Sequence, residues 1–345
     1  MSKEWKGGGR ITRRAALGAV AATGLVAAPF VRRSRAGEVL YVNTWGGGWE
    51  RSAIKNLFEP FTRDTGVEIR TVSPVSFAKL SAQARTGVYE FDVTTLGDAD
   101  IIEKAEGQVD QTKLWPGAVF QNGVASHAFA TVIAYRKEKY ANGGPQSWAE
   151  FWDLKKFPGS RCLQRHAARV LPLALLADGV PIDQLYPIDI DRAFKSLDRL
   201  KPAIRVWWAE GQQSYQLLRD GEIDAIGIWN GRVIDLMKES QPVALVWNQA
   251  EIDRAYWVVS KGTPRAKLAW EFIQSAVRPE RVAGFANDAY YGPINPRAFE
   301  FLDKKDAELM PTYPPNMKLA FIQDVVKSKD QIAAFTKRFD EWIAS

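Results

Sequence analysis

The chain reads as an α/β protein of two lobes, with two strands crossing between them. Three observations predict this. Residues 38–127 alternate strand and helix signals in the order βαβαβα, the mark of a parallel sheet covered by helices. A second series of α/β units follows over roughly 134–253. Extended runs at 128–135 and 255–260 bracket that series, so the economical path crosses to a second lobe and later returns. Two crossings between lobes make a hinge, and a hinge makes a cleft that can close.

Taken in order, Val39-Leu40-Tyr41-Val42 is a short apolar strand that ends at Asn43-Thr44. The turn Trp45-Gly46-Gly47-Gly48-Trp49 follows and leads into a helix over 50–65, where Ile54, Leu57, Phe58 and Phe61 recur at helical spacing. Ligands of open α/β sheets sit beyond the carboxyl ends of strands, and glycines there admit a ligand to backbone N–H groups. This turn is therefore expected to be one wall of a small-molecule cleft. Residues 67–72 alternate as a strand, 76–86 form a helix stopped by Gly87, and 91–96 make a third strand. The Gly97-Asp98 turn then falls on the same sheet edge as the glycine turn.

The second lobe is read as a helix from Pro145-Gln146-Ser147-Trp148, a strand at 161–164, a helix at 167–177 and a helix at 189–200. Strands at 204–208 and 223–229, a helix at 212–220 between them, and a strand at 243–247 complete it. The return run 255–260 precedes helices at 266–276 and 279–287. Tyr290-Tyr291-Gly292-Pro293-Ile294-Asn295-Pro296 is a loop, since two prolines and a glycine forbid regular structure. Helices over 324–342 close the chain. The expected domains are 1–36 as a signal segment, 38–130 with 256–310 as lobe one, 131–255 as lobe two, and 311–345 as C-terminal helices.

Charge divides the same way. Of 46 basic and 40 acidic residues, eight and one fall within 1–36, which leaves 38 basic against 39 acidic in the remainder. The remainder has no electrostatic footprint for nucleic acid. The first 36 residues have the layout of an export signal: a basic stretch to Arg14, a weakly apolar run from Ala15 to Phe30, and small residues at Ser34 and Ala36. The run falls short of the ~20 apolar residues that span a bilayer. Thr12-Arg13-Arg14-Ala15-Ala16-Leu17 resembles a twin-arginine motif. The lone Cys162 excludes an internal disulfide.

No G-x-S-x-G elbow and no paired-cysteine or His-x-x-x-His metal spacing occurs, and the chain has two histidines, His127 and His166. A glycosidase-like pair of carboxylates stays open as an alternative, because acids are plentiful and their separation is invisible in sequence. The three glycines lack dinucleotide-loop spacing. Neither a catalytic residue nor a cofactor is expected.

The order and spacing of several segments resemble the extracytoplasmic solute-binding proteins of ABC importers, and among them the spermidine/putrescine-binding group. These segments are Trp45 after the first strand, Phe58-Glu59-Pro60-Phe61-Thr62-Arg63-Asp64-Thr65-Gly66, Ser147-Trp148-Ala149-Glu150-Phe151-Trp152-Asp153, and Gly221-Glu222-Ile223-Asp224 before a strand ending in Trp229-Asn230-Gly231. The resemblance implies a two-lobed, type II periplasmic-binding-protein fold without catalysis. It also implies a monomer in the periplasm that hands a small solute to an inner-membrane permease. It places Trp45, Trp229 and Tyr291 as rings around an amine, as such binders hold methylene chains between aromatic faces.

Several acids of that group are absent here. Gly46 stands beside Trp45, the helix start in lobe two reads His166-Ala167-Ala168-Arg169, and an acid before the return crossing is Asp253. Arg169 and His166, if they face the cleft, repel a diamine and suit a carboxylate or phosphonate, held also by N–H groups at Gly46 and Gly47. The candidate site is therefore Trp45, Gly46, Gly47, Asp98, His166, Arg169, Trp229, Asp253 and Tyr291. Trp49, Trp208 and Trp257 are the rings to add if the cleft needs another. A polyamine-like amine is expected by resemblance, with an anionic or zwitterionic solute (a carboxylate or phosphonate), or a ferric ion at Tyr290-Tyr291, as alternatives. The export reading has a direct test: replacing Arg13 and Arg14 by Lys is expected to strand the precursor in the cytoplasm, and normal export of that variant, followed by fractionation and immunoblotting, would point to a different route.

Overall fold

A computed structural model describes residues 37–96 and 102–345. The export segment, with Arg13 and Arg14, and the candidate Asp98 lie outside the described residues. Ten strands among the described residues form one connected sheet system. They are β1 (Val39–Asn43), β2 (Glu68–Val72), β3 (Val93–Thr94), β4 (Val119–Phe120), β5 (Gly123–Arg136), β6 (Arg161–Gln164), β7 (Ile204–Trp208), β8 (Ala225–Trp229), β9 (Val243–Val259) and β10 (Phe321–Ile322). The order β2-β1-β3-β9-β5-β8-β6-β7 carries one lobe into the other. β1 pairs in parallel with β2 and β3, and β6 in parallel with β7 and β8. The long pair β5–β9 is antiparallel and runs through both sets. This is the expected two-lobed arrangement, with β5 and β9 as the crossing strands.

Apolar side chains collect into separate cores. Leu40, Val42, Phe58, Phe61, Trp257, Phe272 and Phe285 pack together on the first lobe. Trp148, Phe151, Leu163, Leu171 and Phe194 pack on one face of the second sheet, and Cys162, Trp208, Ile226 and Ile228 on the other. Phe335 and Phe339 of the C-terminal helix, Ile332–Ala344, join the core that holds Trp148.

The local readings hold in most places. The helix after the glycine turn starts earlier than its periodicity indicated, as α1 (Gly47–Ala53), and continues through a π-helical turn, Ile54–Phe58, into α2 (Glu59–Thr65). Gly46 (φ 73°) and Gly47 (φ 59°) take the left-handed region that makes this entry possible. Ser76 caps α3 (Phe77–Thr86) and Ser147 caps α4 (Trp148–Trp152), each hydroxyl accepting a backbone N–H three residues on. The helices α5 (Ala167–Ala177), α6 (Ile190–Leu200), α7 (Gly211–Arg219), α8 (Asn230–Lys238), α9 (Ala266–Ala276) and α10 (Pro279–Ala289) follow in the anticipated order.

Two readings need correction. The third strand is two residues long, not six. The predicted strands at 243–247 and 255–260 are parts of one strand, β9. What looked like an interruption is a bulge: Thr131 pairs with Glu251 and Ile133 with Val246, so β9 spends four residues against one of β5. Trp148 clamps the bulge. Its backbone N–H donates to the Gln249 side-chain amide oxygen Oε1 at 3.0 Å and its indole Nε1–H to the Gln249 backbone carbonyl at 2.9 Å. Gln249 itself stands at φ 60°, a strained setting for a non-glycine residue. Trp148→Ala is expected to cost about 3–5 kcal/mol, as for large aromatic truncations in cores, measured by urea unfolding. A loss below about 1 kcal/mol would show that the bulge holds itself.

Candidate functional site

The antiparallel pairing of β5 and β9 sets the site. Directly opposed residues project to the same face. Phe129 opposes Asp253, and Thr131 opposes Glu251. On the other flank Thr131 opposes Trp229, the last residue of β8. One face of three neighbouring strands thus gathers two carboxylates, a hydroxyl and two rings. Phe129 and Trp229 meet edge to face at 6.0 Å, and Trp208 supports Trp229 in the same way at 5.1 Å.

Arg169, in the first turn of α5, lies across this patch. Its Nη2 donates to Asp253 Oδ2, its Nη1 reaches Glu251 Oε2 at 3.5 Å, and its guanidinium lies 4.9 Å from the Phe129 ring centre. Arg169 is therefore buried and paired, not solvated on an outer helix face. Asp253 keeps partial access to solvent, while Glu251 has none. Burial pushes the Glu251 carboxyl up to about 7, against the opposing pull of the Arg169 charge. Burial lowers the Arg169 pKa, but Glu251 and Asp253 outweigh it and the guanidinium ends above its usual value. His166 occupies the N-cap position of α5 and reaches solvent, without a capping hydrogen bond from its side chain. The protein atoms around it and then the nearby Arg169 charge lower its pKa, so its neutral form is favoured.

The lobe-one candidates follow the end of β1. Asn43, fully buried at the end of β1, donates through Nδ2 to the carbonyls of Val72 (2.7 Å) and Pro74 (3.0 Å), and accepts from Thr94 Oγ1 at 3.0 Å. One side chain thereby fixes the ends of β1, β2 and β3 together. Trp45 follows, half exposed, and Gly46 and Gly47 open α1. Beneath them the Glu50 carboxylate accepts hydroxyl bonds from Thr44, Ser73 (2.7 Å) and Thr71 (3.2 Å). Burial works to raise the Glu50 pKa, but these three hydroxyls together hold it below the usual range.

Tyr291 packs against the crossing strand, its ring centre 4.0 Å from that of His127 on β5. Burial drives the Tyr291 phenol up to about 12 and His127 down to about 3, so both are neutral near pH 7. The turn that carries Tyr291 is tied to the crossing strand, with Ala128 and Gly292 exchanging backbone bonds of 2.8 and 2.7 Å.

Of the candidates, Arg169, Asp253 and Trp229 are brought onto one face, His166 stands at its rim, and Trp45, Gly46 and Gly47 belong to the lobe-one turn. Trp208 and Trp257 are fully buried and Trp49 nearly so. They are core rings that support other residues, not spare cleft rings. Tyr290 lies under the Lys238 ammonium, 4.2 Å from its ring centre. No cluster of three or more His, Cys, Asp or Glu side chains with metal-holding geometry occurs among the described residues. Sequence reasoning missed Glu251, Thr131 and Phe129. Their signal was available: each lies two residues from another polar or aromatic residue on a crossing strand, at the spacing that shares a face.

A family model described as bacterial extracellular solute-binding protein matches residues 56–312. The gamma-aminobutyric acid-binding protein of Pseudomonas aeruginosa is 33% identical over 321 residues, 88% of this chain and 91% of that protein. The spermidine/putrescine-binding periplasmic protein of Escherichia coli is 23% identical over 289 residues, 77% of this chain and 81% of that protein. The crystal structure of an ABC transporter substrate-binding protein from Bradyrhizobium japonicum superposes with a TM-score of 0.81 at 32% identity, over 88% of this chain and 99% of that one.

The charge cluster carries a stability prediction. A raised carboxyl pKa means that the native state keeps a proton the unfolded chain has released. The Glu251 contribution is thus present below about 4.5 and is lost as pH rises through about 7. Arg169→Met, which removes the cation opposing that loss, is expected to cost about 3–5 kcal/mol near pH 8 and clearly less near pH 5. Urea unfolding at the two pH values measures it, and equal losses at both would show that Glu251 does not feel Arg169.

Proposed function

We propose, for a chain that belongs to the bacterial extracellular solute-binding protein family and serves an ABC transporter as its substrate-binding component, that the solute is a small ω-amino acid of the γ-aminobutyrate type. It is captured in the periplasm and delivered to the membrane permease. The observation that carries this is the sign of the cluster on the lobe-two face. Arg169, Glu251 and Asp253 in their ionised forms sum to one negative charge, and Asp253 is the member open to solvent. That suits one ammonium group, set beside the Phe129 and Trp229 rings.

Across the cleft, the first turn of α1 has N–H groups that a helix cannot pair internally. These are donors for a carboxylate. A solute with an amine at one end and a carboxylate at the other meets a complementary group at each wall. The relative named for γ-aminobutyrate supports this reading by its similarity over nearly the whole chain. A diamine is the second reading. It is favoured by Glu50, which gives lobe one a carboxylate below the glycine turn, and by the more distant polyamine-binding relatives.

Closure on such a solute follows from differential binding: only a ligand that touches both walls favours the closed form. Calorimetric titration with γ-aminobutyrate, putrescine, butyrate and butylamine separates the readings. A lost charge-assisted contact is worth about 1.5–3 kcal/mol, so butyrate and butylamine are expected to bind about 10- to 100-fold more weakly than γ-aminobutyrate. Tightest binding of putrescine would establish the diamine reading instead, and no binding by any member would overturn both.

A further inference from the structure

We infer that Glu251 is a positioning residue for solute capture: it anchors the Arg169 guanidinium from below, and its ionisation sets the charge that Asp253 presents to the cleft, so that binding an amine releases a proton. This rests on the reading of an amine-bearing solute near Asp253.

The geometry makes the case. Glu251 has no solvent access and cannot reach a solute without displacing Arg169. One of its oxygens, Oε2, faces Arg169 at 3.5 Å. The other, Oε1, has no hydrogen-bond partner among the described residues, and neither has the Thr131 hydroxyl on the neighbouring strand nor the buried Tyr186 hydroxyl. Buried polar atoms without partners are few in native proteins and call for an explanation. Here the unpartnered atoms are one oxygen of that carboxylate and two hydroxyls near it, and the hydroxyls can turn to serve the carboxyl whether it holds its proton or has given it up.

The groups that face Glu251 are few. Arg169 comes from α5, Asp253 from its own strand and Tyr186 from the loop before α6. Burial, and next the Glu251 charge, raise the Tyr186 phenol well above its ordinary range, so Tyr186 stays protonated. The Arg169 guanidinium keeps its charge at any working pH. His166, near Arg169 and Asp253, is pushed toward its neutral form. That leaves Glu251 as the group of the cluster that changes charge around neutral pH, since its carboxyl is raised to about 7.

With Glu251 protonated, Arg169 and Asp253 neutralise each other and the cluster offers an ammonium nothing in net charge. With Glu251 ionised, Arg169 is shared, and the cluster carries one negative charge at Asp253. An ammonium bound there stabilises the ionised form, so the proton leaves on binding and affinity rises with pH across this window. Phe129, which stacks on the guanidinium at 4.9 Å, and Thr131 hold the same orientation from β5.

The experiment has two arms. In the first, solute-free protein carrying 13C-labelled glutamate is titrated by infrared spectroscopy in the wild type and in Glu251→Gln. One buried carboxyl is expected to titrate between about pH 6 and about pH 8 and to be missing from the variant. In the second, the dissociation constant of γ-aminobutyrate, whose own groups do not titrate in that range, is measured across the same pH span. Wild-type binding is expected to tighten by about tenfold from pH 6 to pH 8, with proton release visible in buffers of different ionisation enthalpy, and Glu251→Gln is expected to change by less than about twofold. A variant that keeps the wild-type pH profile, or a wild type with no titrating buried carboxyl, would overturn the inference. A carboxyl that titrates as expected in a protein that binds none of the amines would instead overturn the function reading and leave Glu251 a charge switch without this solute.

Discussion

The register of β9 against β5 is the constraint on which the site depends. Strand side chains alternate with a period of two, so a one-residue slip sends every side chain to the opposite face. Ile133 and Val246 oppose each other below the bulge, and Thr131 and Glu251 oppose each other above it. The bulge therefore marks the change from a face packed with apolar side chains to one packed with charge. Gln249 at φ 60° and its two bonds to Trp148 hold that change in place. The Trp148 ring is among the largest fully buried side chains of lobe two, so the register that faces Glu251 and Asp253 toward α5 is secured by core packing and not by the charges themselves.

That division of labour answers an energetic problem. Taking a guanidinium and two carboxylates out of water costs several kcal/mol per ion, and their attraction repays this only when geometry is good. Here one carboxylate is fully buried with an unpartnered oxygen, which is poor economy for stability alone. The core must supply what the cluster does not. The lobe-one wall solves its own problem differently. Asn43 satisfies three strand ends with one amide, and Glu50 is held by three hydroxyls that need no second buried charge. One wall is rigid and neutral in its supports, and the other holds a charge balance open to a change of one proton.

Much of this was legible in the sequence. Alternating strand and helix signals located nearly every element of both lobes, and strand ends followed by glycine or tryptophan located Trp45, Gly46, Gly47 and Trp229. Arg169 and Asp253 stood out because they replaced or shifted acids in a recognisable pattern. Glu251 and Thr131 did not, because a residue on a crossing strand acquires its meaning from the residue opposite, and the register is set by long-range pairing. The bulge hid it further: the stretch Asn248-Gln249-Ala250 reads as a break between strands, and only its pairing with β5 shows that the strand continues. Trp208 and Trp257 were ambiguous for a related reason. An apolar ring in a strand can face a core or a cleft, and the sheet face it takes depends on neighbours distant in sequence.

The same pairing bears on how the two walls move relative to each other. Asn230, almost fully buried at the start of α8, accepts from the Ala130 N–H of β5 at 2.9 Å and donates to the Tyr290 carbonyl at 2.8 Å. It thereby joins the second lobe, the crossing strand and the turn that carries Tyr291. Gly231 beside it has room for no side chain without pressing on the Ala289 carbonyl, 3.1 Å from where a Cβ would stand. Any rotation of the lobes must therefore pivot close to Ala130 and Tyr290, because these bonds are buried and costly to leave unmade. Phe129 and Thr131 flank that pivot, while Trp45 and the glycine turn lie on the opposite wall. On the proposed function, a solute that draws the glycine turn toward Asp253 closes the cleft with little change in the side chains around Arg169 and Glu251. On that reading the side chains of the first wall are in position before the solute arrives, the amine shifts only the proton on Glu251, and closure adds the contacts of the second wall.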